Sequence, residues 1–250
     1  MESAVRNLFV KTGKGRPMLA PADERVLLIP SFGVRGDANA SETSPRQVLI
    51  AFEPSIAELG VQPGDLKENI LLTKASERDF PSGTGLRIGT AVIRITIPCE
   101  PCGYLKTVGI ERPASACGRR GMLGVVIEGG TVCIGDRAER LQSAYPVLPE
   151  RLTDRLAWII VQIPKGKVVG YSALAHLAGV SRAYLRAFPG ILRRLEAQNV
   201  PIHRVVDSKG RLIGCVHNQK EKLEREGVPL NQDGVDDLYT WSGIGLYSAR

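Results

Sequence analysis

The sequence predicts a two-domain protein, a mainly β barrel followed by a mainly α, winged helix-turn-helix-like domain. Three observations predict it. Residues 20–140 consist of short apolar runs punctuated by Gly and Pro (RVLLIP, RQVLIAF, ENILLT, LRIGTAVIRITI, LGVVIEGGTVCIGD), the pattern of closed or sandwiched sheets. From residue 151 the apolar spacing becomes helical, through Leu152, Leu156, Ile159, Ile160 and Ile163. The formal charge of +7 over 250 residues is unevenly spread. Residues 151–213 carry eleven basic and three acidic side chains, whereas residues 1–148 carry 18 and 16. A local basic block points to a polyanion partner.

The elements follow in order. Glu53-Pro54 to Leu59-Gly60 predicts a helix over 53–60, because Pro suits a first helical position and Gly a stop. The run from Leu86 to Ile97 alternates and is β-branched at Val92, Ile93, Ile95, Thr96 and Ile97, which predicts a strand. Gly129-Gly130 between VVIE and TVCIG predicts a hairpin. Two prolines in RLQSAYPVLPER end the strand pattern. The domains are therefore read as a barrel over 20–142, a linker over 143–150, a helical domain over 151–230 and a tail over 231–250, with Trp241 placed to pack back on the body. Pro164-Lys165-Gly166 stops the helix that starts near 151. Ser172 is a candidate cap for a short helix over 172–179, which Gly179 ends. Ser181 starts a third helix, carrying Arg182, Arg186, Arg193 and Arg194 and kinked or split by Pro189. A helix, a Gly turn and a basic helix make a helix-turn-helix pattern.

Composition narrows the class. With 43% apolar and 24% charged residues the chain has the material for a core, which excludes disorder over most of its length. No apolar run reaches the ~18 residues of a membrane span. The opening MESAVRNLFVKTGKG has no apolar signal core, and five cysteines make a poor disulfide scaffold. The expectation is a reduced, cytoplasmic protein with one or two functional thiols and no membrane partner.

The second half carries specific motifs. IVQIPKGKVVGYSALAHLAGV, PIHRVVDSKGRLIG and EKLEREGV follow one another over roughly 155–230. This order resembles the DNA-binding domain of the O6-alkylguanine-DNA alkyltransferases, which move an alkyl group to the Cys of a Pro-Cys-His-Arg motif. Here the motif is Pro201-Ile202-His203-Arg204, so the nucleophile position is Ile202. An aliphatic side chain cannot act as an activated nucleophile. The resemblance is therefore to the alkyltransferase-like proteins, which bind alkylated DNA without repairing it. It implies that Tyr171 stacks where the base is rotated out, that His203 and Arg204 fill the motif, and that Glu226 polarises His203. Ungapped counting puts the base-flipping finger on Leu185, with Arg182 and Arg186 as the neighbouring arginines. The Asn that precedes the motif in the family falls on Arg194. Cys215 falls in a turn after the motif strand and is given no role.

The first half carries another set. Phe32-Gly33-Val34-Arg35-Gly36-Asp37, Arg46-Gln47-Val48, Gly64-Asp65-Leu66-Lys67-Glu68-Asn69-Ile70, Pro98-Cys99-Glu100-Pro101-Cys102, Gly129-Gly130 and Ile134-Gly135-Asp136 span roughly 20–142. This set resembles the MOSC domain, the C-terminal domain of molybdenum-cofactor sulfurases, whose fold is a β-barrel. The resemblance implies molybdenum cofactor or carried sulfur on a strand-end Cys, and brings a family association with pyridoxal phosphate. Cys102 matches that Cys, as catalytic thiol and molybdenum ligand, with Cys99 the runner-up; a soft thiolate suits both tasks. Arg35, Arg46 and Asn69 are candidates for holding the cofactor's phosphate and pterin. The Cys99-x-x-Cys102 pair also admits a thioredoxin-type redox pair or two structural thiols. Zinc is disfavoured, because residues 1–175 contain no His.

Joined, the resemblances imply a DNA-associated MOSC protein. It would bind molybdenum cofactor or carry sulfur, reduce N-hydroxylated or otherwise modified bases, read DNA lesions and transfer no alkyl group. Its partners would be double-stranded DNA, alkylated in the lesion case, and a redox or sulfur-donor protein. The alternative is a non-enzymatic alkylated-DNA sensor serving DNA repair, with the barrel as a docking platform.

Overall fold

A computed structural model describes residues 3–13, 15–142, 144–232 and 234–248. Ser143 of the expected linker, and Asp233, Ala249 and Arg250 of the expected tail, lie outside the described residues. The chain divides into two compact units, Met1–Leu148 with Tyr247–Arg250, and Pro149–Leu246.

The first unit contains strands β1 (Ser3–Leu8), β2 (Arg25–Ile29), β3 (Gly33–Val34) and β4 (Val48–Phe52), helix α1 (Glu53–Leu59), then β5 (Ile70–Leu72), β6 (Gly85–Ile88), β7 (Ala91–Pro98), β8 (Met122–Glu128), β9 (Gly130–Cys133) and β10 (Arg137–Leu141). Seven strands close a barrel in the order β1-β10-β6-β7-β8-β4-β5. The pair β4–β5 is parallel and the other barrel pairs are antiparallel. Closure leaves no open sheet edge. The barrel interior is filled by branched apolar side chains, among them Ile50, Phe52, Ile70, Leu86, Ile93 and Val126, all 0% exposed. The first barrel strand precedes residue 20, where the sequence reading had started the domain. Helix α1 has Pro54 at its start and ends at Gly60, whose φ of 67° is left-handed, as expected of a Gly stop.

Two expectations are corrected here. The run Leu86–Ile97 is not one strand, because Gly89, at φ 56°, turns it into the antiparallel pair β6–β7. Gly129-Gly130 makes no hairpin between β8 and β9. Instead β9 pairs with β2, in a separate sheet ordered β3-β2-β9. These glycines serve close approach: a Cβ at Gly129 would lie 2.7 Å from Pro30 and one at Gly130 2.2 Å from the Thr90 hydroxyl. The expected linker is also partly bound. Leu148 is fully buried and its amide donates to the Ser82 hydroxyl.

A buried guanidinium organises the end of this unit. Arg94 on β7, 1% exposed, donates to the carbonyls of Tyr247 (2.7 Å) and Pro146 (2.8 Å). Burial depresses its pKa, and two main-chain acceptors offset that cost.

The second unit contains α2 (Leu152–Gln162), β11 (Val169–Gly170), α3 (Tyr171–Leu177), α4 (Phe188–Glu196), β12 (Val205–Val206), α5 (Gln219–Arg225), β13 (Leu230–Asn231) and β14 (Gly234–Val235). Leu156, Ile159, Ile160, Leu174, Phe188 and Leu192 form its core. The expected cap Ser172 is not one: the N-cap of α3 is Gly170, and no side chain caps it. The expected third helix is split, into a 3-10 turn over Arg182–Ala187 and α4, whose first turn holds Pro189. Residues 231–246 are part of this unit rather than a tail. β13 and β14 pair, and Trp241 packs on the core, its amide donating to Val168.

Candidate nucleic-acid interface and barrel thiol site

In the second unit, the parallel pair β11–β12 joins the start of α3 to the 201–206 segment, with Gly170 opposite Val206. Tyr171 therefore stands close to the motif residues. Its ring lies edge-on to Phe188, 5.6 Å between centroids and 71° between planes. Burial, together with the neighbouring Cys215 thiol, pushes the Tyr171 phenol well above its ordinary value.

Ile202 begins a 3-10 turn over Ile202–Arg204 and is 1% exposed, inside the core cluster. His203 and Arg204 point at one acceptor. His203 Nε2 lies 2.9 Å from Glu226 Oε1, and Arg204 reaches the same carboxylate through Nε (3.0 Å to Oε2) and Nη2 (2.8 Å to Oε1). The Gly166 amide donates to Glu226 Oε2, and Arg204 Nη1 to the Ile163 carbonyl. Burial would raise the Glu226 carboxyl, but the hydrogen bonds from Arg204, His203 and Gly166 outweigh it and hold it at about 2. The group is closed on itself, with its cation and anion matched.

The basic window sorts by burial. Arg155 is 1% exposed and donates to the carbonyls of Ala178, Pro149 and Glu150, so it fastens α2 rather than meeting solvent. Arg204 is held by Glu226. Arg182, Arg186, Arg193 and Arg194 are exposed. Arg182 donates to the Ser172 hydroxyl (3.2 Å), which is 2.8 Å from that of Ser208. Leu185 at the counted finger position packs partly on the core, whereas Arg182 and Arg186 are exposed.

In the barrel unit, Cys102 follows β7 and is the N-cap of a 3-10 turn over Gly103–Val108. Leu105 of that turn packs with Ile56, Leu66 and Leu71 on the outside of the barrel, which fixes the turn. Cys102 is exposed and free. Arg120, only 6% exposed, donates from Nη1 to Cys102 Sγ at 3.3 Å and to the Glu100 carbonyl. Its Nε is buried without a partner. The Lys67 ammonium sits 3.3 Å from the centre of the Tyr104 ring. Burial, with the like charges of Lys11 and Arg120, depresses the Lys67 pKa, while Cys102 works the other way. Beside Lys67, Glu68 is fully buried; its Oε1 accepts from the Gly64 amide and its Oε2 has no partner. Burial pushes this carboxyl up to about 7.

The structure does not gather the expected barrel residues around Cys102. Asn69 is 4% exposed and its amide is occupied: Oδ1 accepts from Leu49 N (3.0 Å), and Nδ2 donates to Asp37 Oδ2 (2.8 Å) and the Phe9 carbonyl. It is a bracket of the barrel, with no amide group left for a cofactor. Cys99 is 2% exposed, with Arg46 Nη2 3.9 Å from its sulfur. Arg46 therefore meets Cys99, whereas Arg120 is the cation bonded to Cys102, and burial disfavours Cys99 as the working thiol. Arg35 is exposed beyond β3, and its main-chain amide donates to the Leu27 carbonyl. Arg120, Lys67 and Tyr104 were missed. The available signal for Arg120 was the register of β7 against β8, which pairs Pro98 with Met122 and sets residue 120 opposite 100–102. Among the described residues no group of three or more His, Cys, Asp or Glu is arranged to hold a metal ion. Among them, too, no helix is long and apolar enough to cross a membrane.

A closed barrel ending in a free thiol, joined to a helical unit built around a Pro-Ile-His-Arg turn, defines a MOSC protein with an alkyltransferase-type DNA-binding domain. A family model described as the MOSC domain matches residues 46–139. Another, described as the DNA-binding domain of 6-O-methylguanine DNA methyltransferase, matches residues 152–228. The DNA base-flipping protein of Escherichia coli K12 is 37% identical over 114 residues, 43% of this chain and 88% of the relative. On that identity and coverage the chain belongs to the alkyltransferase-like DNA-binding family, and it carries a MOSC domain in addition. Among solved structures, YiiM from Escherichia coli is similar over 80% of this chain and 95% of its own, at 21% identity and TM-score 0.44. Atl1 of S. pombe, solved with damaged DNA containing O6-carboxymethylguanine, is similar over 36% of this chain and 94% of its own, at 27% identity and TM-score 0.33.

Proposed function

We propose that this chain reads alkylated guanine in duplex DNA through its second unit, without alkyl transfer, and that its barrel works through the Cys102 thiol. One observation carries the reading: the frame around the motif is kept while its reactive atom is replaced. His203 and Arg204 meet on Glu226, Tyr171 packs edge-on to Phe188, and Ile202 stands buried at the nucleophile position. A side chain with no lone pair accepts no alkyl group, so recognition is what the frame has left to do. The relative's name, DNA base-flipping protein, supports the same reading, as does the exposed arginine set on and before α4.

Fluorescence anisotropy with matched duplexes tests it. Duplex containing O6-methylguanine binds at least about tenfold more tightly than the undamaged duplex, and Tyr171→Ala loses about tenfold of that affinity, as expected for one stacking platform. Equal affinity for both duplexes overturns the lesion reading and leaves general DNA binding. Protein incubated with DNA carrying a radioactive O6-alkyl group stays unlabelled; label on the protein overturns the absence of transfer.

For the barrel, the donor set around Cys102 suits an anionic molybdenum cofactor. One soft thiolate would ligate the metal, and Arg120 and Lys67 would face the cofactor's negative charge. Asn69 and Cys99 take no part, for the reasons of burial above. When bound, that cofactor supplies the two-electron chemistry that reduction of an N-hydroxylated base requires. Cys102 would fix it in place and Arg120 would hold the sulfur. Molybdenum should copurify from a host that makes the cofactor and be lost in Cys102→Ala; metal-free wild-type protein from that host overturns the assignment. Sulfur carried on Cys102 is the second barrel reading, favoured by the exposed thiol with a guanidinium on its sulfur.

A further inference from the structure

The charges around Cys102 are unbalanced in a way that the thiol alone does not require. Arg120 is nine-tenths buried, donates to the sulfur at 3.3 Å and keeps a second buried N–H without a partner. Lys67 and Lys11 add two cations within electrostatic range of each other, with Arg120 and Cys102 in the same range of Lys67. The glutamate beside Lys67 is turned into the core, with no cation on its free oxygen. In the second unit, by contrast, the Arg204 cation is matched by the Glu226 carboxylate. The barrel site instead sets a buried guanidinium and a half-buried ammonium beside an exposed nucleophile, with Asp65 the accessible carboxylate in range of the Tyr104 ring there.

The geometry points to a donor class for the carried sulfur: Cys102 takes sulfane sulfur from a dianionic sulfur oxyanion, thiosulfate being the simplest. This inference rests on the sulfur-carrying reading of the barrel. The Cys102 thiolate attacks the terminal sulfur of thiosulfate, forming a sulfur–sulfur bond to Sγ. The bond between the two thiosulfur atoms breaks, and sulfite leaves with the electron pair. The products are a Cys102 persulfide anion and sulfite dianion, so charge and atoms balance and no oxidant or reductant is needed. An anionic nucleophile meeting a dianion is opposed by Coulomb repulsion. Arg120 on the sulfur and Lys67 at the rim offset that repulsion and then hold the departing oxyanion. A neutral donor would need neither cation.

The full chain is incubated with thiosulfate, sulfite release is followed, and the thiols are mapped by mass spectrometry. Cys102 gains one sulfur atom, while Cys117, exposed and free but without a buried cation bonded to its sulfur, stays unmodified. Arg120→Gln slows loading at least about tenfold, the loss expected of one charge-assisted hydrogen bond, and Arg120→Lys recovers part of it. Sulfate competes with thiosulfate on the wild-type protein, a readout that stands even where Arg120→Gln fails to fold. Equal loading of Cys117 and Cys102, or no competition by sulfate, overturns the inference. Inorganic polysulfide separates the two levels. Loading of Cys102 by polysulfide but not by thiosulfate sinks the donor class alone, and loading by neither sinks the sulfur-carrying reading as well.

Discussion

The two units treat their charged residues in opposite ways. In the helical unit, the motif that in alkyltransferases activates a thiol has become a sealed polar knot. One carboxylate receives His203, Arg204 and a main-chain amide, and the neighbouring position is a buried Ile. In the barrel unit, the thiol is present and exposed, and among the described residues no carboxylate is hydrogen-bonded to Arg120 or Lys67. What a residue can do for a ligand is decided by what the protein already makes it do. Glu226 has a family role by position, yet here its lone pairs are taken. Arg120 had none, yet its Nη1 holds the sulfur of an exposed thiol.

Breaking the sealed group should give the largest effect. Glu226→Ala leaves a partly buried guanidinium and imidazole without their shared acceptor, which costs the helical unit about 1–3 kcal/mol. Both tryptophans, Trp158 and Trp241, lie in that unit, so urea unfolding followed by tryptophan fluorescence reads it directly. The same carboxylate sets an acid limit. With its folded value at about 2 against 4.5 unfolded, its stabilisation is whole above pH 4.5 and is lost as pH falls toward 2. The variant should lose that dependence.

Glu68 sharpens the comparison with the opposite sign. Its folded value of about 7 means that the fold holds its proton more tightly than the unfolded chain does. Barrel stability is therefore highest below pH 4.5 and declines as pH rises to about 7, by about 3 kcal/mol at most. Glu68→Gln should abolish the decline; hydrogen exchange in β4 and β5, measured at pH 5 and pH 8, checks it. A wild-type barrel equally protected at both values would remove Glu68 from the account.

The smallest effect tests the exposed arginines. Arg182→Ala should weaken DNA binding a few-fold, alike for damaged and plain duplex, and lower the salt slope by about one. A loss confined to the damaged duplex would make Arg182 a lesion contact instead.

Fold class was legible because it follows from local spacing. Alternation and Gly/Pro punctuation mark strands, and the switch at Leu152 marks helices. Closure of the barrel was not legible, because β1 is the short, mixed SAVRNL and its partners, β5 and β10, lie more than 60 residues away. The strand at 86–97 was read too long because Gly89 supplies a left-handed turn in a run whose apolar pattern continues through it. Arg155 was counted with the DNA-facing charges, yet it stands three residues from Leu152 and four from Ile159. It is thus on the apolar stripe, and spacing could have shown it as buried. Tyr171, His203 and Arg204 could be singled out because two short contiguous motifs carry them. Arg120 was missed because only strand register brings it to Cys102.

The bonds of Arg94 bear on how this gene product can be cut. The polypeptide leaves the barrel unit after Leu148 and re-enters it at Tyr247, and one guanidinium grips the main chain at Pro146 and Tyr247, either side of the excursion. The helical unit is therefore an insert rather than an appendage. A stop codon placed just after it would strip an acceptor from the interior of the other unit, so the barrel is better isolated by splicing a short loop from 148 to 247 than by truncation.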